Sequence, residues 1–198
     1  MDEVDATLVR RVLAEEPSAF DELVRRHRPG LVRFALCMVG DADEAESLAQ
    51  EALTRAYAGL ADFQADLSFG PWVRGIALNL CRNHLRDRQR HARTVEPDQL
   101  AETADREGRR HGVLSAILRR EVNERTLLAI ADLPEPLREA FVLHYVEEMD
   151  YAAIGRITGL APGTLRVRAH RARTLLQETL GSVVDTWLRQ APPDEACS

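Results

Sequence analysis

A chain of 198 residues, with 45% hydrophobic but only 5% aromatic residues, can form one medium domain or two small ones. No apolar run approaches the length of a membrane-spanning helix, and acidic Asp2 and Glu3 directly after Met1 are not typical of a signal peptide. Three scattered cysteines are too few for a disulfide framework and favour a reducing compartment. We therefore expect a cytoplasmic protein without membrane insertion.

The charges are unevenly distributed along the chain. All 26 basic residues are arginine, against 32 acidic residues, so the net charge is −6. The absence of lysine reflects either codon usage in a GC-rich genome or selection for guanidinium groups that bind phosphates. Residues 41–51 carry five acids and no base, residues 71–93 carry six arginines and one acid, and residues 161–177 carry four arginines and no acid. Two basic islands in an acidic protein predict local binding of a polyanion.

Apolar residues recur at spacings of three and four along most of the chain, which predicts an all-α protein. We expect Pro29-Gly30 to interrupt the second helix and Gly40 to end it, while Pro71 suits the first position of the fourth helix. The predicted helices span about 5–15, 18–39, 42–59, 71–90, 114–131, 134–146, 150–157 and 162–180.

A polar segment without apolar period divides the chain into two small helical domains. It contains Pro97 and Gly108 and charges of both signs, which is typical of a flexible linker. The tail contains apolar residues at helical spacing, which either pack on a domain or bind a partner. The predicted units are an N-terminal domain at 1–90, a linker at 91–112, a C-terminal domain at 113–180 and a tail at 181–198.

The pattern at 150–176 is the most specific in the chain. A short helix is followed by a turn in which Gly159 can adopt a left-handed conformation, and then by a second helix. Gly155, inside the first helix, costs about 1 kcal/mol relative to alanine, so that helix depends on tertiary packing. The second helix has a narrow apolar stripe, formed by Leu165, Ala169, Ala172 and Leu176.

The opposite face of this second helix is basic and contains no acid. A helix-turn-helix needs this combination, because its second helix packs on the first and presents hydrogen-bond donors to phosphates and base edges. The alternative is an ordinary helical hairpin with a solvated basic face. The candidate DNA-binding residues are Thr164, Arg166, Arg168, His170, Arg171 and Arg173.

The helix that begins near Pro71 also has two distinct sides. Its apolar side carries Trp72, Val73, Ile76, Ala77 and Leu80, and its other side carries Asn79, Arg82, Asn83 and Arg86. Asparagine suits base edges and arginine suits phosphates, so this side is a second candidate for nucleic-acid binding. The alternative is a solvated helix face. The acidic helix before it is, from its residues alone, a capped surface helix.

Taken in order, these segments resemble the extracytoplasmic-function sigma factors, which are initiation factors of bacterial RNA polymerase. The resemblance covers nearly the whole chain, although Gly155 stands where the family usually has alanine. Its segments are FDELVRRHRP at 20–29, GDADEAESLAQEAL at 40–53, FGPWVRGIALN at 69–79, LPEPLREAFVL at 133–143 and GTLRVRAHRAR at 163–173.

The resemblance implies roles for particular residues. The acidic helix would dock on core RNA polymerase through Leu48, Gln50 and Glu51. The helix at 163–173 would bind the minus-thirty-five element, and the loop at 63–69 would form a pocket for an extruded base. For Phe69 and Trp72 the alternative is a core position. The residues that would recognise and melt the minus-ten element are Phe69, Trp72, Arg74, Asn79, Arg82, Asn83 and Arg86.

We expect a sigma factor that is not an enzyme, with core RNA polymerase, promoter DNA and an anti-sigma factor as partners. The alternative is a helix-turn-helix transcriptional regulator with a helical sensor domain, although no long apolar dimer seam is evident. An enzyme is disfavoured, because Cys81 and His84 lack a second ligand pair and Glu147 and Glu148 diverge by about 100° on a helix. We therefore expect no catalytic residues, no metal and no cofactor.

Overall fold

The computed structural model describes residues 3–63, 68–94 and 124–181. These residues contain α-helices, a single 3₁₀ turn at Leu60–Asp62 and a π-helical turn at Val142–Val146, and no strand is found among them. The predicted all-α class is therefore confirmed. The helices are α1 (Glu3–Leu13), α2 (Ser18–Val39), α3 (Ala42–Ala58), α4 (Phe69–Thr94), α5 (Glu124–Ala131), α6 (Glu135–Phe141), α7 (Tyr151–Thr158) and α8 (Pro162–Leu180).

Helix α2 runs without a break through Pro29, so the predicted interruption at Pro29-Gly30 is wrong. Proline removes one backbone N–H and its ring crowds the preceding turn, which costs about 3 kcal/mol in a helix interior. Both halves of α2 are anchored in the core, with Leu23 before the proline and Leu31 after it fully buried. Tertiary packing therefore outweighs the local cost. Gly40 ends α2 in the left-handed conformation (φ 78°), as predicted.

The ends of the next two helices follow from their sequences. The side chain of Asp41 caps α3 by accepting a hydrogen bond from the backbone N–H of Glu44 at 2.9 Å. Helix α4 begins at Phe69, before Pro71, and extends to Thr94, beyond its predicted end. The first residues of the predicted linker are thus helical. The rest of that linker, the start of the helix predicted at 114–131, the tip of the loop at 63–69 and the tail after 181 lie outside the described residues.

The described helices form two units that pack against each other. In the N-terminal unit, α2 contacts α1, α3 and α4, and in the C-terminal unit α8 packs on α5, α6 and α7. Helix α5 and the π turn lie against α2, while α7 lies against α4. The buried apolar residues of both units consequently belong to one continuous cluster. None of the described helices has the length and apolar character needed to cross a bilayer.

The helix-turn-helix is formed by α7 and α8. The carboxylate of Asp150 accepts a hydrogen bond from the N–H of Ala153 at 2.6 Å and caps α7, and Gly159 ends it in the left-handed conformation (φ 73°). A Cβ atom on Gly155 would lie only 2.9 Å from the carbonyl oxygen of Leu160, so the glycine lets the turn approach α7 closely. The predicted apolar stripe of α8 is buried at all four positions, Leu165, Ala169, Ala172 and Leu176.

Candidate nucleic-acid interfaces

The outward face of α8 is basic and open. Arg168 and Arg171 have no acidic partner among the described residues, and the guanidinium group of Arg166 lies 5.6 Å from the ring centroid of Tyr151 on α7. This stacking fixes one arginine against the first helix of the motif. Thr164, His170 and Arg171 are exposed, and Arg166, Arg168 and Arg173 are partly buried.

The polar face of α4 is exposed at Asn79, Asn83 and Arg86. The fourth predicted member, Arg82, is instead bound by Glu139 of the C-terminal unit. Its Nε and Nη2 atoms donate to the two carboxylate oxygens of Glu139 at 2.5 and 2.6 Å, and these hydrogen bonds raise the pKa of Arg82. The predicted face is therefore divided between free side chains and one arginine held by the other unit.

Arg74 is also held by the C-terminal unit. Its Nε donates to the carboxylate of Glu147 at 2.5 Å, and Arg33 from α2 approaches the other oxygen of that carboxylate at 3.4 Å. Cβ atoms built on Gly30 and Gly70 would lie 3.3 and 3.1 Å from the guanidinium nitrogens of Arg74. The two glycines thus leave the space that this side chain occupies.

Phe69 and Trp72 lie in an aromatic cluster at the start of α4. Phe69 is buried, with its ring centroid 5.7 Å from Trp72 and 5.1 Å from His27. Trp72 is partly exposed and lines a cavity of about 250 Å³ between the two units, together with Arg156 and Ile157 of α7. Phe69 therefore occupies the core position considered as its alternative, and Trp72 lies at the edge of that core.

The predicted polymerase-docking residues lie on α3 in two different environments. Leu48 is buried in the N-terminal unit, whereas Gln50 and Glu51 are exposed. Glu51 accepts a hydrogen bond from Arg55, one turn later, at 2.6 Å. Of the three predicted docking residues, only Gln50 and Glu51 therefore present side chains at the surface of α3.

A buried polar cluster near Phe69 was not predicted. Asp5 on α1 receives a hydrogen bond from the Nε2 side of His27 at 2.8 Å and pairs with Arg26 at 3.0 Å. Burial lowers the pKa of His27, and the nearby charge of Asp5 only partly opposes that effect. The cluster attaches α1 to α2. Asp5 and His27 are 22 residues apart in the chain, so the periodicity of a single helix could not predict this contact.

The residues considered for an enzyme are dispersed. Cys81 is buried, and burial raises the pKa of its thiol to about 12, while His84 lies 3.6 Å from Glu44 on α3. Glu147 is buried against arginines and Glu148 is exposed, so these carboxylates do not form a pair. Within residues 3–63, 68–94 and 124–181, no group of three or more His, Cys, Asp or Glu side chains is placed to hold a metal ion.

Comparisons with known proteins show which family the two units resemble. The family model for Sigma-70 region 2 matches residues 23–91, and that for Sigma-70 region 4 matches residues 123–176. The first match includes α4 as far as residue 91, and the second includes α7 and α8 as far as residue 176. In structure, the chain is similar to the sigma factor RpoE in complex with the anti-sigma factor NepR from Bartonella quintana, with a TM-score of 0.64 and 25% identity over 81% of this chain and 96% of that one.

Two relatives are similar over almost their whole length. The RNA polymerase sigma-H factor of Pseudomonas aeruginosa is 35% identical over 90% of this chain and 94% of its own. The ECF RNA polymerase sigma factor SigW of Bacillus subtilis is 30% identical over 87% of this chain and 94% of its own. The predicted resemblance is therefore confirmed over the alternative of a helix-turn-helix regulator with a sensor domain. The chain belongs to the extracytoplasmic-function sigma factors of bacterial RNA polymerase.

Proposed function

We propose that α8 binds the minus-thirty-five element of promoters recognised by this sigma factor. The observation that carries this assignment is the acid-free basic face of α8, in which Arg168 and Arg171 have no acidic partner within the described ranges. An α-helix fits the major groove, where arginine can donate two hydrogen bonds to one guanine. The buried stripe of α8 belongs to the side that packs on the other helices of the C-terminal unit, so the basic face is directed outward.

The polar face of α4 supplies the minus-ten contact in this proposal. Asn79, Asn83 and Arg86 are exposed there, and amide groups can bind base edges while arginine binds phosphates. Arg74 and Arg82 join this face when the C-terminal unit releases them, and Trp72 adjoins it. This assignment is supported by the match of residues 23–91 to Sigma-70 region 2.

The remaining assignments concern partners and boundaries. We propose that core RNA polymerase binds the exposed residues Gln50 and Glu51 of α3, and that an anti-sigma factor regulates the chain, as in the complex of its structural neighbour. Residues 1–90 and 113–180 would act as separate promoter-binding domains joined through 91–112. Catalysis belongs to the polymerase, and this chain supplies promoter specificity, so it has no catalytic role of its own.

The test is promoter binding by the holoenzyme. We expect Arg171→Ala to weaken binding by about 1–3 kcal/mol if the side chain contacts a base, and mainly for the correct upstream sequence. A phosphate contact would instead weaken binding to all sequences and reduce the salt slope by about one. Arg10→Ala, on the exposed surface of α1, is the matched control.

Two outcomes would count against the proposal. If Arg168→Ala and Arg171→Ala both leave promoter affinity and its salt dependence unchanged, α8 does not bind the upstream element. If core polymerase with this chain initiates no promoter-dependent transcription from native genomic templates, while the chain alone binds DNA, the regulator alternative is restored.

A further inference from the structure

Two glutamates of the C-terminal unit bind three arginines of the N-terminal unit. Glu139 holds Arg82 through two hydrogen bonds of 2.5 and 2.6 Å, and Glu147 lies between Arg74 and Arg33. The side chain of Glu139 is 6% exposed and that of Glu147 is fully buried, so water does not compete for either carboxylate. The units are also joined by the Arg138 guanidinium, which donates to the Met38 carbonyl of α2, but of these contacts only those of the two glutamates involve arginines that the proposed function assigns to DNA.

The backbone before and after Glu147 has an uncommon conformation. The N–H of Glu147 donates to the carbonyl of Val142 at 3.0 Å, five residues earlier, which closes the π turn. The next residue, Glu148, adopts a positive φ of 53°, which non-glycine residues rarely do. π turns occur often at functional positions, and strained backbone persists only where the surrounding structure maintains it. Here the π turn and Glu148 direct the carboxylate of Glu147 towards α2 and α4.

The N-terminal unit is shaped to receive these contacts. Gly30 and Gly70 leave room for the guanidinium group of Arg74, as described above. At Gly75 a Cβ atom would lie 3.4 Å from the side chain of Ile157, so α4 and α7 approach closely at this residue. The fit is therefore steric as well as electrostatic, and it involves residues of both units.

We propose that Glu139 and Glu147 form an intramolecular latch, which holds the two units in a closed state and keeps Arg82 and Arg74 away from DNA. The inference rests on the proposed function, because that function assigns both arginines to the minus-ten face. A guanidinium group that is bound bidentately by a carboxylate cannot bind a phosphate in the same way. The closed state therefore excludes minus-ten binding at Arg82, which is bound bidentately, and hinders it at Arg74, which is bound through Nε and is only 17% exposed.

The latch has a measurable consequence for DNA binding by the free chain. When only a fraction of molecules is open, the apparent dissociation constant is the intrinsic constant divided by that fraction. Neutralising both glutamates should raise the open fraction and tighten binding to single-stranded DNA. We expect the apparent dissociation constant to fall by about tenfold, and the size of this decrease depends on the fraction of parent molecules that is closed.

The experiment uses the full chain with Trp187→Phe in every sample, which leaves Trp72 as its single tryptophan. The test variant combines Glu139→Gln and Glu147→Gln, and Glu148→Gln is the matched control because that side chain is exposed. Gly75→Leu is a second test variant, which separates α4 from α7 sterically and keeps both glutamates. Circular dichroism verifies that each variant is folded.

Opening is measured without DNA, from the radius of gyration in small-angle X-ray scattering and from acrylamide quenching of Trp72. Binding is measured separately with a fluorescent single-stranded 20-nucleotide DNA of random sequence. We expect the double-glutamine variant and Gly75→Leu to show a larger radius, stronger quenching and tighter DNA binding, and Glu148→Gln to behave like the parent.

The outcomes distinguish the latch from the function on which it rests. A folded double-glutamine variant with the parent's radius and quenching would overturn the latch, and so would an open parent chain. If the double-glutamine variant does not fold, Gly75→Leu provides the test. A folded Gly75→Leu variant that opens and binds DNA more tightly would support the proposal that the closed state keeps these arginines from DNA. If the variants open but bind DNA no better than the parent, the two glutamates hold the units together without controlling DNA binding. The minus-ten assignment of Arg74 and Arg82 is then wrong.

Discussion

Arg138 on α6 joins the ends of two helices through one guanidinium group. It donates to the carbonyl of Met38 at 2.5 Å, to that of Leu133 at 2.9 Å and to that of Ala131. Met38 lies in the last turn of α2, and Ala131 is the last residue of α5. Carbonyls at helix C-termini lack intrahelical partners and carry partial negative charge, so a cation there satisfies both needs.

The effect of Arg138→Met on stability can be worked out from these contacts. Three hydrogen bonds from a charged donor contribute about 1.5–3 kcal/mol each. Desolvation offsets a large part of that sum, as burial lowers the pKa of Arg138. Methionine keeps much of the aliphatic packing. We expect the free energy of unfolding to fall by about 2–4 kcal/mol.

Urea unfolding followed by circular dichroism measures this change. Arg171→Met is the matched control, because Arg171 is exposed and should cost less than about 0.5 kcal/mol. Arg138→Lys should recover only part of the loss, since an ammonium group cannot reach three carbonyls with the geometry of a guanidinium fork. Equal stabilities of Arg138→Met and Arg171→Met would refute the role given to the shared cation.

Three further predictions concern stability, pH and docking. Helix propensity alone predicts that Gly155→Ala stabilises α7 by about 1 kcal/mol, but contact with the Leu160 carbonyl should make the variant less stable in thermal unfolding, and a stabilised variant would contradict this. Since burial lowers the pKa of His27, the unfolded chain takes up this proton at a higher pH than the folded chain, so stability should fall from pH 7 to pH 5. His27→Gln should reduce that fall in urea titrations, and an unchanged slope would exclude His27 as the cause. Glu51→Arg should weaken competition for core RNA polymerase with little change in melting, because its exposed pair with Arg55 contributes little; undiminished competition would place the docking face elsewhere.

The features that the sequence predicted are those that local chemistry decides. The stripe of α8 follows from the helical period, and the ends of α2 and α7 follow from Gly40 and Gly159. Pro29 led to a wrong prediction because the rule for proline counts the cost within the helix and not the burial on either side of it. Local rules therefore predicted where these helices end, but they did not predict that α2 continues through Pro29.

Contacts between distant segments could not be predicted in this way. Arg82 and Glu139 are 57 residues apart, and Arg74 and Glu147 are 73 residues apart. No periodicity or motif connects such positions, and the sequence suggested Glu147 only as a member of a possible carboxylate pair with Glu148. The resemblance to the family predicted which residues would bind DNA, but it did not predict which of them the chain's own carboxylates would bind.

The two basic islands of the sequence therefore differ in the folded chain in whether carboxylates bind their arginines. The island on α4 has six arginines and one acid in its own segment, yet two of those arginines are bound by glutamates of the other unit. On α8, Arg168 and Arg171 have no such partner within the described part of the chain. Phosphates can reach α8 in the closed state, whereas the full minus-ten face requires separation of the units. An encounter of the free chain with DNA should accordingly begin at α8, and opening should limit what α4 contributes.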